Sequence, residues 1–132
     1  MSSQLREVLL VGLGAVGAIF CRSVAEAADH PYAYVVVTAK AIPELIRTPA
    51  LLAPLLSPLY SDKHPQPTYV LMQNGLNVEV DLYEALKKLK PNEEPRIIST
   101  AVWIGTGMKG SNVVEHNDFV SIIVSPASLR PP

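Results

Sequence analysis

The sequence predicts an α/β fold: a mostly parallel sheet flanked by helices, with a C-terminal antiparallel hairpin. Three observations carry this. The apolar run Val8-Leu9-Leu10-Val11 ends in glycines at the spacing Gly12-x-Gly14-x-x-Gly17 and opens a stretch of helical periodicity. Three further apolar runs, 33–38, 68–73 and 97–104, recur with helix-permitting segments between them, the rhythm of βαβ units. Finally, the alternating runs 112–116 and 119–124 flank Asn117-Asp118 and read as a hairpin. Together they describe a Rossmann-like arrangement.

The first strand, Val8 to Val11, consists of four β-formers with no polar partner, so it is expected to be buried on both faces and central in the sheet. Gly12 lets the chain turn, Gly14 lets backbone approach a pyrophosphate, and Gly17 lets the next helix pack closely. That helix would present unpaired N–H groups to the anion. Gly12, Leu13, Gly14, Ala15, Val16 and Gly17 are thus the candidate dinucleotide cradle; the competing reading is a purely structural strand-turn-helix. The helix is expected to run to about Ala28, with Val16, Ile19, Phe20 and Val24 in phase, and to stop at Asp29-His30-Pro31.

Ala33 to Thr38 is the second strand, linked to the first by a right-handed crossover. Lys40 follows just past its carboxyl end, where ligands collect in open α/β sheets. A cation there can meet a phosphate or carboxylate, or be a solvated loop lysine. The proline-punctuated stretch 41–67 permits only short helices. Thr48-Pro49 reads as a helix start with a capping hydroxyl, and Leu51, Leu52, Leu55 and Leu56 give an apolar covering face.

The third strand, Thr68 to Gln73, runs into Asn74-Gly75. This pair often marks a hairpin, but the helical phase of Val78, Leu82, Leu86 and Leu89 makes it strand-turn-helix, with the helix expected over 77–89. Asn74 then lies on the edge shared by the glycines and Lys40, either donating to and accepting from a ligand or forming an Asx turn. Ile97 to Ile104 is the fourth strand, and Gly105-Thr106-Gly107 follows at the same edge. His64 has no second ligand at metal spacing and reads as exposed, His116 has no carboxylate at a defined spacing and reads as structural, and no metal site is expected. Residues 1–125 are expected to form one domain and 126–132 a linker or tail.

The bulk numbers bound the function. The formal charge is -1 with no long basic run, which gives no electrostatic case for nucleic acid or an anionic membrane. No apolar run approaches a membrane span and the N-terminus lacks a signal-peptide pattern, so a cytoplasmic protein is expected. The single cysteine, Cys21, excludes an intrachain disulfide. Hydrophobic residues make up 48% of only 132, more than a chain this short buries alone, which is compatible with a homo-oligomer through exposed apolar faces.

Four landmarks occur in order: Gly12-Leu13-Gly14-Ala15-Val16-Gly17; Thr38-Ala39-Lys40 ending a strand; Gln73-Asn74-Gly75 with Glu79 after it; and Asn112-Val113-Val114-Glu115-His116. In this order the chain resembles the N-terminal domain of the ketopantoate reductase (2-dehydropantoate 2-reductase) family. The resemblance implies NADP as cofactor, a small-molecule keto acid as substrate and a place in pantothenate biosynthesis. It implies that residues 12–17 hold the pyrophosphate. Lys40 and Asn74 would line the nicotinamide and substrate end, Asn74 also touching substrate, and backbone at Gly107 would approach the cofactor.

Two departures from the family pattern shape the expectation. Only 17 residues separate Gly17 from Val35, where the family carries another strand and the basic residues that read the adenosine 2'-phosphate. Without the family, Lys40 would be the residue selecting NADP; with it, Lys40 faces the nicotinamide and the adenosine half-site is absent. The chain also ends before the helical domain that supplies the family's general-acid lysine. No catalytic residue is therefore assigned, and a shortened reductase domain, inactive alone, is expected. The rival reading is a non-catalytic nucleotide-binding or protein-interaction module.

Overall fold

A computed structural model describes residues 7–12, 29–103, 106–111, 113–116 and 121–126. Its strands are β1 (Val8–Val11), β2 (Tyr34–Val37), β3 (Thr68–Leu71), β4 (Ile97–Trp103), β5 (Thr106–Lys109), β6 (Val113–His116) and β7 (Ser121–Pro126). Its helices are α1 (Thr48–Leu51), α2 (Pro58–Lys63) and α3 (Val80–Leu89). Five strands form one sheet in the order β1-β2-β3-β4-β7, parallel through β4 and antiparallel at β7. β5 and β6 pair separately and antiparallel. The mostly parallel α/β architecture is the one expected from sequence.

Register explains the core. Leu9, Val35, Tyr69 and Ile97 stand opposite one another across four strands, and Val11, Val37 and Leu71 form the next row on the same face. Six of these seven are buried, with Leu9 packed at the margin, against Leu51, Leu52, Leu55 and Tyr60 of the proline-rich segment and Leu82 and Leu86 of α3. Each such burial is worth about 1.5–3 kcal/mol. The leucines at 51, 52, 55 and 56 therefore cover the sheet as their spacing predicted.

Several expectations need correction. Among the described strands β1 is an edge, not a centre: it stands at the end of their order, and Val8 and Leu10 remain 55% and 53% exposed. An unbroken apolar run shows that both faces tolerate burial; it does not say which strands arrive beside it. Thr48 is the first helical residue and not the cap, which is Arg47 without a side-chain bond. The Ser-Pro pair one helix later does what was expected of Thr-Pro, since the Ser57 hydroxyl accepts from the Tyr60 N–H at 3.3 Å. α3 starts at Val80, because Asn77 adopts φ 57° and the chain has not yet entered the helix there.

The C-terminal hairpin forms one strand earlier than its alternation suggested. β6 pairs with β5, Gly107 opposite Glu115, and the 121–126 strand pairs with β4 instead. Alternation marks strands but leaves their partners open. The helix expected from Gly14 to Ala28 and residues 127–132 of the expected tail lie outside the described residues, as does Cys21, whereas Pro126, counted with that tail, is the last residue of β7 and pairs with Ile98. Among the described residues, no helix is long and apolar enough to cross a membrane.

Candidate functional site

The carboxyl ends of β1 to β4 are laced together by side chains that lie just past each strand. At the first junction the Thr38 hydroxyl donates to the Gly12 carbonyl at 2.6 Å, while the Thr38 N–H donates to the Val11 carbonyl at 2.7 Å. At the second, the Gln73 amide nitrogen donates to the Ala39 carbonyl at 2.7 Å, and Gln73 is buried. At the third, Asn74 both donates to the Val102 carbonyl and accepts from the Val102 N–H, each at 3.1 Å. Where the main-chain ladder of each pair runs out, a polar side chain continues it.

Gly12 requires its missing side chain. Its φ is +126°, a region that L residues rarely adopt. A Cβ there would also collide with the Ala39 nitrogen and lie 2.7 Å from the Thr38 carbonyl carbon. Gly12, the residue that follows β1, is thus pressed against the end of β2. Residues Leu13, Gly14, Ala15, Val16 and Gly17 of the expected cradle lie outside the described residues.

Lys40 is exposed, two residues past Thr38 and next to Ala39, whose carbonyl Gln73 holds. Asn74 is exposed at the end of β3 on the same edge. The structure therefore brings Gly12, Lys40 and Asn74 to one edge through the chain of bonds above. Gly107 follows β4 within β5. Beside this edge a shallow cleft of about 80 Å³ is lined by Ala41, Ile42, Arg47, Asn77, Val78 and Asp81, with Arg47 and Asp81 paired at 3.2 Å across it. A second cleft, of about 230 Å³, lies at the opposite, amino-terminal edge around Gln66, Lys90 and Arg96.

Sequence reasoning missed Thr38 and Gln73 as working residues. Both stood within quoted motifs, Thr38-Ala39-Lys40 and Gln73-Asn74-Gly75, and both carry hydroxyl or amide groups where a strand ends. The signal was a polar residue one or two positions beyond an apolar run, a place where main-chain partners give out. Val102 carries no such signal, because its main chain and not its side chain takes part.

Comparison with known proteins bears on the fold and the family. A solved structure of 2-dehydropantoate 2-reductase from Geobacter metallireducens GS-15 superposes with a TM-score of 0.55 and 18% identity, over 96% of this chain. It is covered over 51% of its own length, so this chain spans about half of that relative. No curated protein matches the chain. The family model described as ketopantoate reductase PanE/ApbA matches residues 22–128, which leaves the glycine loop outside the match and includes Thr38, Lys40, Gln73, Asn74 and Gly107. Since that match takes in most of the sequence, the chain belongs to the ketopantoate reductase PanE/ApbA family.

Proposed function

We propose that this chain is the cofactor-binding part of an NADP-dependent 2-dehydropantoate 2-reductase. The observation that carries the reading is the shared edge: the Cβ-excluding Gly12 turn, Lys40 and Asn74 are tied to successive strand ends by Thr38, Gln73 and Asn74 itself. The Gly12 backbone supports the reading, because φ +126° and contact with the end of β2 admit only glycine there, the residue that the first position of a dinucleotide-binding turn calls for. When bound, the dihydronicotinamide would supply a hydride to the 2-keto carbon of the substrate. Residues 12–17 would hold the pyrophosphate, Lys40 would place a cation near the nicotinamide, and Gly107 would offer backbone without side-chain obstruction.

Asn74 would touch substrate with the amide N–H and oxygen lone pair that Val102 leaves free. Hydride delivery leaves an alkoxide that needs a proton, and a positioned acid is worth about 100- to 10,000-fold in rate. No side chain among the described residues is assigned that task. The test is calorimetric titration of the folded chain with NADPH and NADH, followed by an assay with ketopantoate. Micromolar NADPH binding, about -8 kcal/mol, with no turnover is the expected result. A folded chain that binds neither nucleotide would favour the alternative, a protein-interaction module, to which the exposed Ile122, Ile123 and Val124 of β7 lend support.

A further inference from the structure

We propose that Gln73 is the positioning residue for Lys40, its buried amide fixing the peptide unit from which the lysine leaves and closing the base of the loop that carries it. The inference rests on the proposed function, in which Lys40 faces the cofactor, and adds to it a residue that acts through the lysine. Among the described residues, the last main-chain bond between β2 and β3 runs from the Met72 N–H to the Val37 carbonyl at 2.9 Å. The next carbonyl on that side, that of Ala39, takes the Gln73 side-chain N–H at 2.7 Å instead. The Ala39 carbonyl and the Lys40 N–H belong to one planar peptide unit, so holding the first sets the second.

Lys40 itself is exposed, and among the described residues no hydrogen bond or ion pair holds its side chain, so its place is set by its backbone. Gln73 is only 4% exposed, and a hydrogen bond shielded from water in this way holds its partner firmly. The other end of its amide lies at Thr48, whose hydroxyl is 3.5 Å from the Gln73 side-chain oxygen. Ala39 precedes the 40–47 loop and Thr48 follows it, so one side chain spans both ends of the loop. The base of Gln73 is anchored in turn, because the next residue, Asn74, exchanges two bonds with the Val102 main chain. Gln73 thereby fixes the position of Lys40 relative to Asn74 across the strand ends.

The test is a double-mutant cycle of Gln73→Met, which keeps length and burial and loses both amide groups, with Lys40→Ala. NADPH affinity should fall about three- to tenfold on Gln73→Met in the parent, and by less than about twofold where Lys40 is already alanine. With Lys40→Ala itself weakening binding, equal loss in the two backgrounds would mark a general structural role and overturn the proposal, as would no loss in the parent. The backbone N–H chemical shift of Lys40, measured without nucleotide, should move in Gln73→Met. Should the folded parent bind no NADPH, or Lys40→Ala bind it as the parent does, the proposed function or the role given to Lys40 fails, and that shift decides the matter for Gln73. An unmoved shift then overturns the proposal and a moved one upholds it. If Gln73→Met does not fold, hydrogen exchange of the Gln73 side-chain amide in the parent decides instead: protection relative to a free glutamine upholds the proposal, and exchange at the free rate overturns it.

Discussion

The side-chain amide of Asn74 exchanges two hydrogen bonds with the main chain of a single residue, Val102, donating to its carbonyl and accepting from its N–H at 3.1 Å each. The amide acts as one more ladder step between β3 and β4, past the last paired residues Leu71 and Ser99. A carboxylate of the same shape has no donor and would set an oxygen against the Val102 carbonyl. Stability measured by urea unfolding should therefore fall in the order parent, Asn74→Ala, Asn74→Asp. Because the site is exposed and water can replace the lost partners, alanine should cost about 1 kcal/mol. Equal midpoints for parent and Asn74→Asp would show that the two bonds contribute nothing.

Gly12 and Gly110 both have positive φ, +126° and +77°, yet their surroundings differ. A Cβ at Gly110 meets nothing within 4 Å, whereas one at Gly12 meets the end of β2. Gly110→Ala should cost only the left-handed backbone penalty, about 1–2 kcal/mol. Gly12→Ala adds backbone collision to backbone strain and should cost more, about 3 kcal/mol or above, with loss of NADPH binding. Thermal unfolding of the two variants side by side checks this; similar midpoints would mean that the close approach of Gly12 to Ala39 is readily relaxed.

The architecture was legible because each strand of the five-stranded sheet is a separate apolar run, whereas β5, Thr106–Lys109, is not and went unread. Lys40 and Asn74 could be placed on one edge from sequence because every parallel strand delivers its next residues to the same side. What stayed hidden was pairing. Nothing in Ile122, Ile123 and Val124 says that β7 lies against β4, and nothing in Val8 to Val11 says that β1 ends the described sheet. Pairing depends on residues far apart in the chain, while periodicity reads only neighbours. The hydroxyl of Thr38 and the amide of Gln73 were hidden for the same reason: their partners, Gly12 and Ala39, lie 26 and 34 positions away.

The tyrosines set an alkaline limit. Burial pushes the Tyr69 hydroxyl far above its ordinary range, with Tyr60 nearby adding to the effect, and burial also raises Tyr60. The Tyr69 hydroxyl donates to the Gln66 side-chain oxygen at 2.8 Å, whereas that of Tyr60 lies near Tyr32 without a hydrogen bond of normal geometry. Folded pKa values raised above the unfolded value of about 10 leave stability intact below that pH. It is lost as the pH rises beyond it, since the unfolded chain releases protons that the folded chain retains. Urea midpoints should thus decline steeply above about pH 10, and less steeply in Tyr69→Phe. At neutral pH, Tyr60→Phe should be neutral or stabilising, because it removes a buried hydroxyl without a bond. A Tyr69→Phe variant with the parent's alkaline slope would assign the effect to other groups.

β7 closes the described sheet with three consecutive apolar residues in the open. Ile122, Ile123 and Val124 are 44%, 58% and 60% exposed, so both faces of the strand carry hydrocarbon, and among the described strands only β4 pairs with it. An apolar edge strand offers unpaired main-chain groups together with a hydrophobic surface, the combination that drives edge-to-edge association. Ile123 stands opposite the exposed Ala101, so a lysine there would extend into solvent with little effect on the core. Ile123→Lys should lower concentration-dependent light scattering while moving the unfolding midpoint by about 0.5 kcal/mol or less. If association persisted undiminished in that variant, β7 would not be the adhesive edge, and Val8 and Leu10 on β1, at the other end of the sheet, would be the next surface to charge.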